Sequence, residues 1–213
     1  RVAECSAPIG HAVGGPVTVQ SRIVIADQDT EESLARFIDT VAASGCETFI
    51  VHARKAWLQG LSPKENRDVP PLDHDRVYRL KERRQDLEII LNGGITSLDE
   101  TEGRLARVDG VMLGRAAYQD PWILAGVDQR IFGEGEPPAL ADVAERMVPY
   151  IEREMARGAR LHQITRHMTG LFAGIPGARA WRRTLSEKSV KHDAGVEVLR
   201  EALACVASPP AAD

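Results

Sequence analysis

Long apolar runs are missing from this chain. None approaches the ~18 residues needed to cross a membrane, and no apolar segment of the secretory kind stands at the N-terminus. The sequence therefore reads as neither anchored nor exported. Cysteine is scarce too: Cys5, Cys46 and Cys205 are the three present, with no CxxC and no Cys/His ligand spacing. That argues against a disulfide framework or a zinc site, and it fits a reducing cytoplasm.

What remains is the profile of a soluble globular protein. Hydrophobic residues make up 43% and charged residues 27% of 213 residues, enough for one large domain or two modest ones with a real core. The net charge of -4 hides an asymmetry. Tyr150 to His192 holds nine Lys/Arg against three Asp/Glu, near +6, so the rest of the chain is near -10. A basic stretch on an acidic protein points to a polyanion footprint, nucleic acid first. By itself such a run is as easily a solvated helical surface.

Along the chain, Arg1 to Gly15 is weakly patterned, and Gly14-Gly15-Pro16 punctuates it before a strand over 16–22. Asp29 or Thr30 caps a helix whose first turn carries Glu31 and Glu32, with Leu34, Phe37, Ile38 and Val41 at helical spacing and Gly45 as the stop. The next strand covers Glu47 to His52. A helix over 73–85, a strand over 87–91, a helix capped by Ser97, a strand over 108–113 and a helix opened by Asp120-Pro121 follow. Strand and helix alternating at these spacings predict βαβ units and a parallel sheet or barrel. Pro137-Pro138 breaks the pattern. Four helical segments come after it, over 140–155 with a kink at Pro149, 161–172, 178–185 and 194–206. The boundary is expected near Glu136, between an α/β unit over 1–136 and a helical domain over 137–213.

The chemistry gathers at strand ends. Phe49-Ile50-Val51 runs into His52-Ala53-Arg54-Lys55 and a long cationic loop, Ile89-Ile90-Leu91 into Asn92-Gly93-Gly94, and Val111-Met112-Leu113 into Gly114-Arg115. Polar and glycine residues after successive strands mark the working face of a parallel sheet or barrel. Glycines let backbone N–H groups come close to a phosphate, and Arg115 adds a bidentate cation. Tight turns without a ligand would look the same. His52 can hydrogen-bond a cofactor ring or phosphate, although a lone histidine is more often structural, and Arg54 and Lys55 can equally face solvent. Lys64 and Arg67 lie three apart on the loop. Arg179 and Arg182 lie three apart on a helix, where they share a face and can grip one phosphate track. Trp57 and Trp181 can stack on bases but are more often packing residues, and His162 and His167 read as helix surface or core.

Together these residues resemble the A subgroup of the tRNA-dihydrouridine synthases. The segments that carry the likeness are Pro16-Val17-Thr18-Val19, His52 to Arg67 (HARKAWLQGLSPKENR), Asn92-Gly93-Gly94-Ile95, Asp109 to Gln119 (DGVMLGRAAYQ), Ile164 to Met168 (ITRHM) and Gly174 to Arg179 (GIPGAR). They span nearly the whole chain, and the long loop is the most specific of them. The resemblance implies an FMN-containing TIM (β/α)8 barrel with a helical RNA-binding domain, using NADPH to reduce the C5–C6 bond of D-loop uridines in tRNA. It implies that His52 contacts FMN and that Asn92, Gly93, Gly94, Gly114 and Arg115 hold its phosphate. Lys64, Arg67, Arg179 and Arg182 would contact tRNA.

Two departures accompany the likeness. The family's barrel begins with four further β/α units, which carry a proton-donating cysteine. This chain is expected to hold the C-terminal half of the barrel, none of its three cysteines standing in that catalytic segment. Gln20 stands where the family ends a strand with a flavin-contacting lysine, so a hydrogen-bond donor remains without its charge. Half a barrel would also leave open edges and an apolar face. The leading expectation is a truncated or fragmentary FMN-dependent synthase. A non-catalytic tRNA-binding fragment and an unrelated phosphate-binding barrel enzyme are the alternatives.

Overall fold

The structure, a computed structural model, describes residues 1–25, 30–57 and 60–207. These form two compact units that divide between Gly114 and Arg115. In the first, helix α1 (Val2–Val13) precedes strand β1 (Thr18–Ile25), then α2 (Glu31–Ala42), β2 (Thr48–Ala56), α3 (His74–Arg83), β3 (Glu88–Asn92), α4 (Leu98–Leu105) and β4 (Gly110–Met112). The four strands form one sheet in the order β1-β2-β3-β4, and each adjacent pair is parallel. The expected α/β class with a parallel sheet is what the chain adopts.

Local chemistry explains the helix starts. Thr30 accepts the Ser33 N–H at the head of α2, Asp73 the Arg76 N–H at α3, and Ser97 the Glu100 N–H at α4. The Asp29 alternative lies outside the described residues. Along β2 and β3 the side chains alternate. Phe49, Val51, Ala53, Ile89 and Leu91 are fully buried, in one core with Leu34, Ile38 and Val41 of α2 and Val77 and Leu80 of α3. The alternate face, with Ile50, His52, Arg54, Ile90 and Asn92, is only half-buried.

Three differences from the sequence reading have physical causes. Arg1 to Gly15, weakly patterned by periodicity, contains α1 despite Pro8 inside it. Its register is fixed by tertiary contacts: Ala3 packs on the core, and the buried Ser6 hydroxyl pairs with Ser44 Oγ at 2.9 Å. Strand β2 does not stop at His52 but continues to Ala56, because its bonds to β1 resume past a register shift between Arg22 and Val24. The units divide at Gly114 rather than near Glu136. Residues 115–136 pack with the later helices, as where Gly170 lies so close to Gln119 that an added Cβ would stand 2.2 Å from its carbonyl oxygen.

The second unit contains, among its described residues, α5 (Arg115–Gln119), a 3-10 turn over Pro121–Gly126, a π-helical turn over Asp128–Phe132 and no strand. Then come α6 (Leu140–Glu145), α7 (Val148–Ala156), α8 (Leu161–Thr165), α9 (Ala178–Lys188) and α10 (Val196–Ala207). The kink expected at Pro149 is a break, with the proline in the first turn of α7 where its missing N–H costs no helical bond. The helix expected over 161–172 ends at Thr165. Trp181, fully buried against Phe172, takes the Met168 carbonyl with its indole N–H at 3.1 Å, and the chain proceeds by tight turns.

One ion pair ties the first unit's helices to its sheet. Lys81 Nζ lies 2.8 Å from Asp109 Oδ2, and the same oxygen accepts the Ile89 N–H at 2.8 Å. Burial raises the Asp109 pKa, but the Ile89 N–H and Lys81 outweigh it and hold it below the ordinary carboxylate value. A depressed carboxyl stabilises the fold above its unfolded pKa, about 4, and loses that contribution as pH falls through the folded value. Asp109→Asn should therefore lower the urea midpoint near neutral pH and flatten its decline as pH falls below about 4, read by circular dichroism.

Candidate functional site

Strand register sets Arg22 of β1 beside His52 of β2, His52 beside Asn92 of β3, and Asn92 beside Met112 of β4. Side chains directly opposite one another in a sheet share a face, so these four form a row that ends β3 and β4 and crosses β1 and β2 a few residues before their C-terminal ends. Gln20, Ile50, Ile90 and Gly110 form the row beneath. The sequence reading named Gln20, His52 and Asn92 for this face. It missed Arg22, which stands two residues beyond Gln20 and so on the same side of β1.

After β3, Gly93 and Gly94 both have positive φ, 119° and 72°, a conformation that favours glycine. A side chain there would also crowd its neighbours. A Cβ on Gly94 would stand 2.4 Å from Leu72 Cδ1, and one on Gly93 would stand 3.1 Å from both the His52 imidazole carbon Cδ2 and Leu72 Cδ2. His74 Nε2 lies 2.8 Å from the Gly93 carbonyl oxygen and steadies the turn. The Asn92 amide donates to the Met112 carbonyl at 2.8 Å, joining the ends of β3 and β4 and leaving its Oδ1 as an acceptor.

The cationic segment after β2 is folded back onto the strand ends. Arg22 Nη1 donates to the Lys55 carbonyl at 2.7 Å and the Asn66 carbonyl at 2.8 Å. Arg54 Nη1 donates to the Asp68 carbonyl at 2.9 Å and to that of Pro70. Asn66 returns a two-way pair to Trp57, accepting its N–H at 2.8 Å and donating to its carbonyl at 2.7 Å. The Asp73 N–H meets the Ala53 carbonyl at 2.9 Å. Arg54 thus has a structural task and is half-buried. Burial, and then repulsion from the Arg54 and Arg67 guanidiniums, lower the Arg22 pKa from its ordinary value. The Arg54 Nε–H is buried and has no hydrogen-bond partner among the described residues. Lys64 and Arg67 sit exposed at the ends of a 3-10 turn, Lys64 immediately before Glu65–Arg67.

The remaining candidates belong to other segments of the chain. Gly114 is the last residue of the first unit, and Arg115 opens α5 in the second. Arg179 and Arg182 are exposed on α9, whereas Trp181 between them is fully buried. Trp57 is partly exposed. Cys46 is buried with its thiol 3.4 Å from the Val17 carbonyl, and burial pushes its pKa up. Among the described residues no three His, Cys, Asp or Glu side chains gather to hold a metal, and no helix is long and apolar enough to cross a membrane.

A family model described as dihydrouridine synthase matches residues 1–207. The tRNA-dihydrouridine(20/20a) synthase of Shewanella oneidensis is 56% identical over 200 residues, covering 93% of this chain and 60% of that protein. Its namesake from Escherichia coli K12 is 55% identical over 208 residues, covering 97% of this chain and 60% of that one. The chain thus spans about 60% of the length of these curated relatives. A solved mandelate oxidase aligns at TM-score 0.37 and 15% identity over 95% of this chain and 59% of its own, too loosely to carry an argument.

The loop's attachment is directly testable. Arg22→Ala removes both charge-assisted bonds and is expected to destabilise the segment by about 1–3 kcal/mol. Hydrogen exchange of the Trp57 amide should accelerate by ten-fold or more, while amides in the middle of β3 keep their protection. Unchanged exchange at Trp57 would mean that Arg22 does not hold the loop.

Proposed function

The chain belongs to the dihydrouridine synthase family, and on that premise we propose that it serves an FMN-dependent reduction of D-loop uridines in tRNA, with NADPH as reductant. The observation that carries this reading is the strand-end cluster. The Gly93-Gly94 turn has the positive φ that favours glycine, the His52 imidazole edges against it, and a buried Arg54 N–H beside Arg22 has no hydrogen-bond partner among the described residues. These residues fit a phosphate-bearing flavin. The turn admits a close approach, the second hydrogen of the Asn92 amide can donate to a phosphate oxygen, and the guanidiniums favour negative charge. In this reading the sheet is the C-terminal half of a (β/α)8 barrel, the fold in which loops after the last strands hold phosphate. Asn92, Gly93, Gly94, Gly114 and Arg115 take the phosphate, and His52 and Gln20 meet the flavin.

When bound, the flavin supplies the reducing equivalents that saturate the uracil C5–C6 bond. The residues of this chain position the ligands. Lys64 and Arg67, on a loop fixed by Arg22, Arg54 and Asn66, would contact tRNA phosphates. Arg179 and Arg182, exposed on one face of α9, would do the same. The proton donor that the family likeness implies is a cysteine other than Cys5, Cys46 and Cys205. The names of the relatives suggest uridines 20 and 20a as targets, and such a reaction belongs in the cytoplasm. Gln20, which brings no positive charge to a reduced flavin, favours a second reading in which the chain binds tRNA without flavin chemistry.

Two measurements test this. Unmodified tRNA incubated with FMN, NADPH and this chain joined to the remaining part of a full-length relative, then digested and analysed by mass spectrometry, should show a gain of two hydrogens on a D-loop uridine. FMN binding with no such gain would contradict the catalytic reading. Exchanging both Arg179 and Arg182 for alanine should weaken tRNA binding and lower the slope of log affinity against log salt by roughly two phosphate contacts. An unchanged slope would remove those residues from the interface.

A further inference from the structure

The helical unit has a feature that phosphate contacts do not use. Below α8 lies an open cleft of about 560 Å³ with apolar walls that include Met147, Ile164 and Leu171, and with Tyr150, Gln163 and His167 among its lining. On the other side of the same segment is a second cavity of about 330 Å³, lined in part by His162, Arg166, Thr169, Ser186 and Ser189. Residues 162–169 therefore separate two hollows, with Arg166 facing one and His167 the other.

The polar groups around the larger cleft are mainly donors. Gln163 accepts the Arg160 N–H with its Oε1 at 2.9 Å, which leaves its amide hydrogens to donate. Arg166 Nε, a donor only, lies 3.1 Å from His167 Nε2, so that nitrogen accepts. The ring's other nitrogen then carries the hydrogen and donates to the Tyr118 oxygen, 2.7 Å away. This leaves the Tyr118 hydroxyl hydrogen able to donate outward. Tyr118 is 60% exposed and meets His167 edge to face at 5.9 Å between centroids. Tyr150 is 42% exposed, with the Arg153 guanidinium over its ring at 5.2 Å. In the smaller cavity, His162 Nδ1 is buried with no hydrogen-bond partner among the described residues, close to the Arg166 cation and three hydroxyl-bearing residues.

Apolar walls, exposed aromatics, donors without a carboxylate in the lining and an adjacent cation suit one class of ligand. It is a flat ring that presents carbonyl oxygens and is attached to a phosphate. The surrounding stretch, Tyr150 to His192, carries near +6 of charge, which complements a polyanion and not a basic or neutral peptide. We propose that this cleft captures one unpaired, carbonyl-bearing base of the bound RNA, with Arg166 and the smaller cavity taking the adjoining phosphate and ribose. The proposal rests on the RNA-binding reading and adds a base-dependent component to it, wholly within the helical unit.

The test uses the purified chain and two fluorescein-labelled probes, a single-stranded oligouridylate and the same backbone with abasic sites, at several salt concentrations. The oligouridylate should bind about ten-fold more tightly. Met147→Trp, which fills the cleft, should bring it to the abasic level without changing the salt slope, whereas Met147→Leu should keep the preference. Gln163→Glu, at an exposed position, replaces donors with a carboxylate and should reduce the preference even if the tryptophan variant folds poorly. Equal binding of the two probes, or a preference that survives both Met147→Trp and Gln163→Glu, would overturn the proposal, as it would if the cleft were instead covered by protein. If both probes bind with a steep salt dependence but no base preference, the base pocket fails and the RNA-binding reading stands. If neither probe binds even at low salt, both fall together.

Discussion

Two guanidinium groups decide what the strand ends can present. Arg22 and Arg54 donate to the carbonyls of Lys55, Asn66, Asp68 and Pro70 and so fold the segment after β2 back over the sheet. Apolar packing could not do this. Trp57 and Val69 in that segment are exposed, and Leu72 at its end is only partly covered, against the glycine turn. Charge-assisted bonds to main-chain oxygens are stronger than neutral ones and directional. A loop rich in lysine and arginine is thereby held in one conformation without a core of its own.

That arrangement leaves cations close together. Burial and the neighbouring charges of Arg54 and Arg67 both disfavour the charged form of Arg22, and the buried Arg54 Nε–H has no hydrogen-bond partner among the described residues. An anion nearby would relieve both penalties, since it would offset the repulsion and offer an acceptor. In the adjoining turn of Gly93 and Gly94, walled by His52 and Leu72, backbone can come close to such a group. In the proposed reading, structural and ligand-binding roles are coupled through the same arginines. Exposed cations at Lys64 and Arg67 then depend for their position on bonds made well below them.

Much of this could be read from the sequence, and for identifiable reasons. The caps at Thr30 and Ser97 act within three residues of themselves, so local chemistry suffices to see them. The parallel sheet follows from short apolar runs at βαβ spacing, and His52 and Asn92 were marked by ending two of those runs. The rest depends on partners distant in the chain. Arg22 bonds to residues 33 and 44 positions away, and nothing in Gln20-Ser21-Arg22 announces that. The continuation of β2 to Ala56 was concealed because Arg54 and Lys55 look like loop residues, although alternation of Val51 and Ala53 with His52 and Arg54 carried the strand signal. Tyr118 and His167 lie 49 residues apart and meet only once the second unit is folded.

The central claim is that the strand ends of the first unit form a cradle for a phosphate attached to a flavin. Titrating the chain with FMN and separately with riboflavin, which lacks the phosphate, and following flavin fluorescence tests it most directly. The account predicts that FMN binds at least about ten-fold more tightly, the scale of one good charge-assisted contact, and that Gly94→Ala abolishes the difference. Equal affinity for the two flavins, or an FMN preference that survives Gly94→Ala, would contradict it.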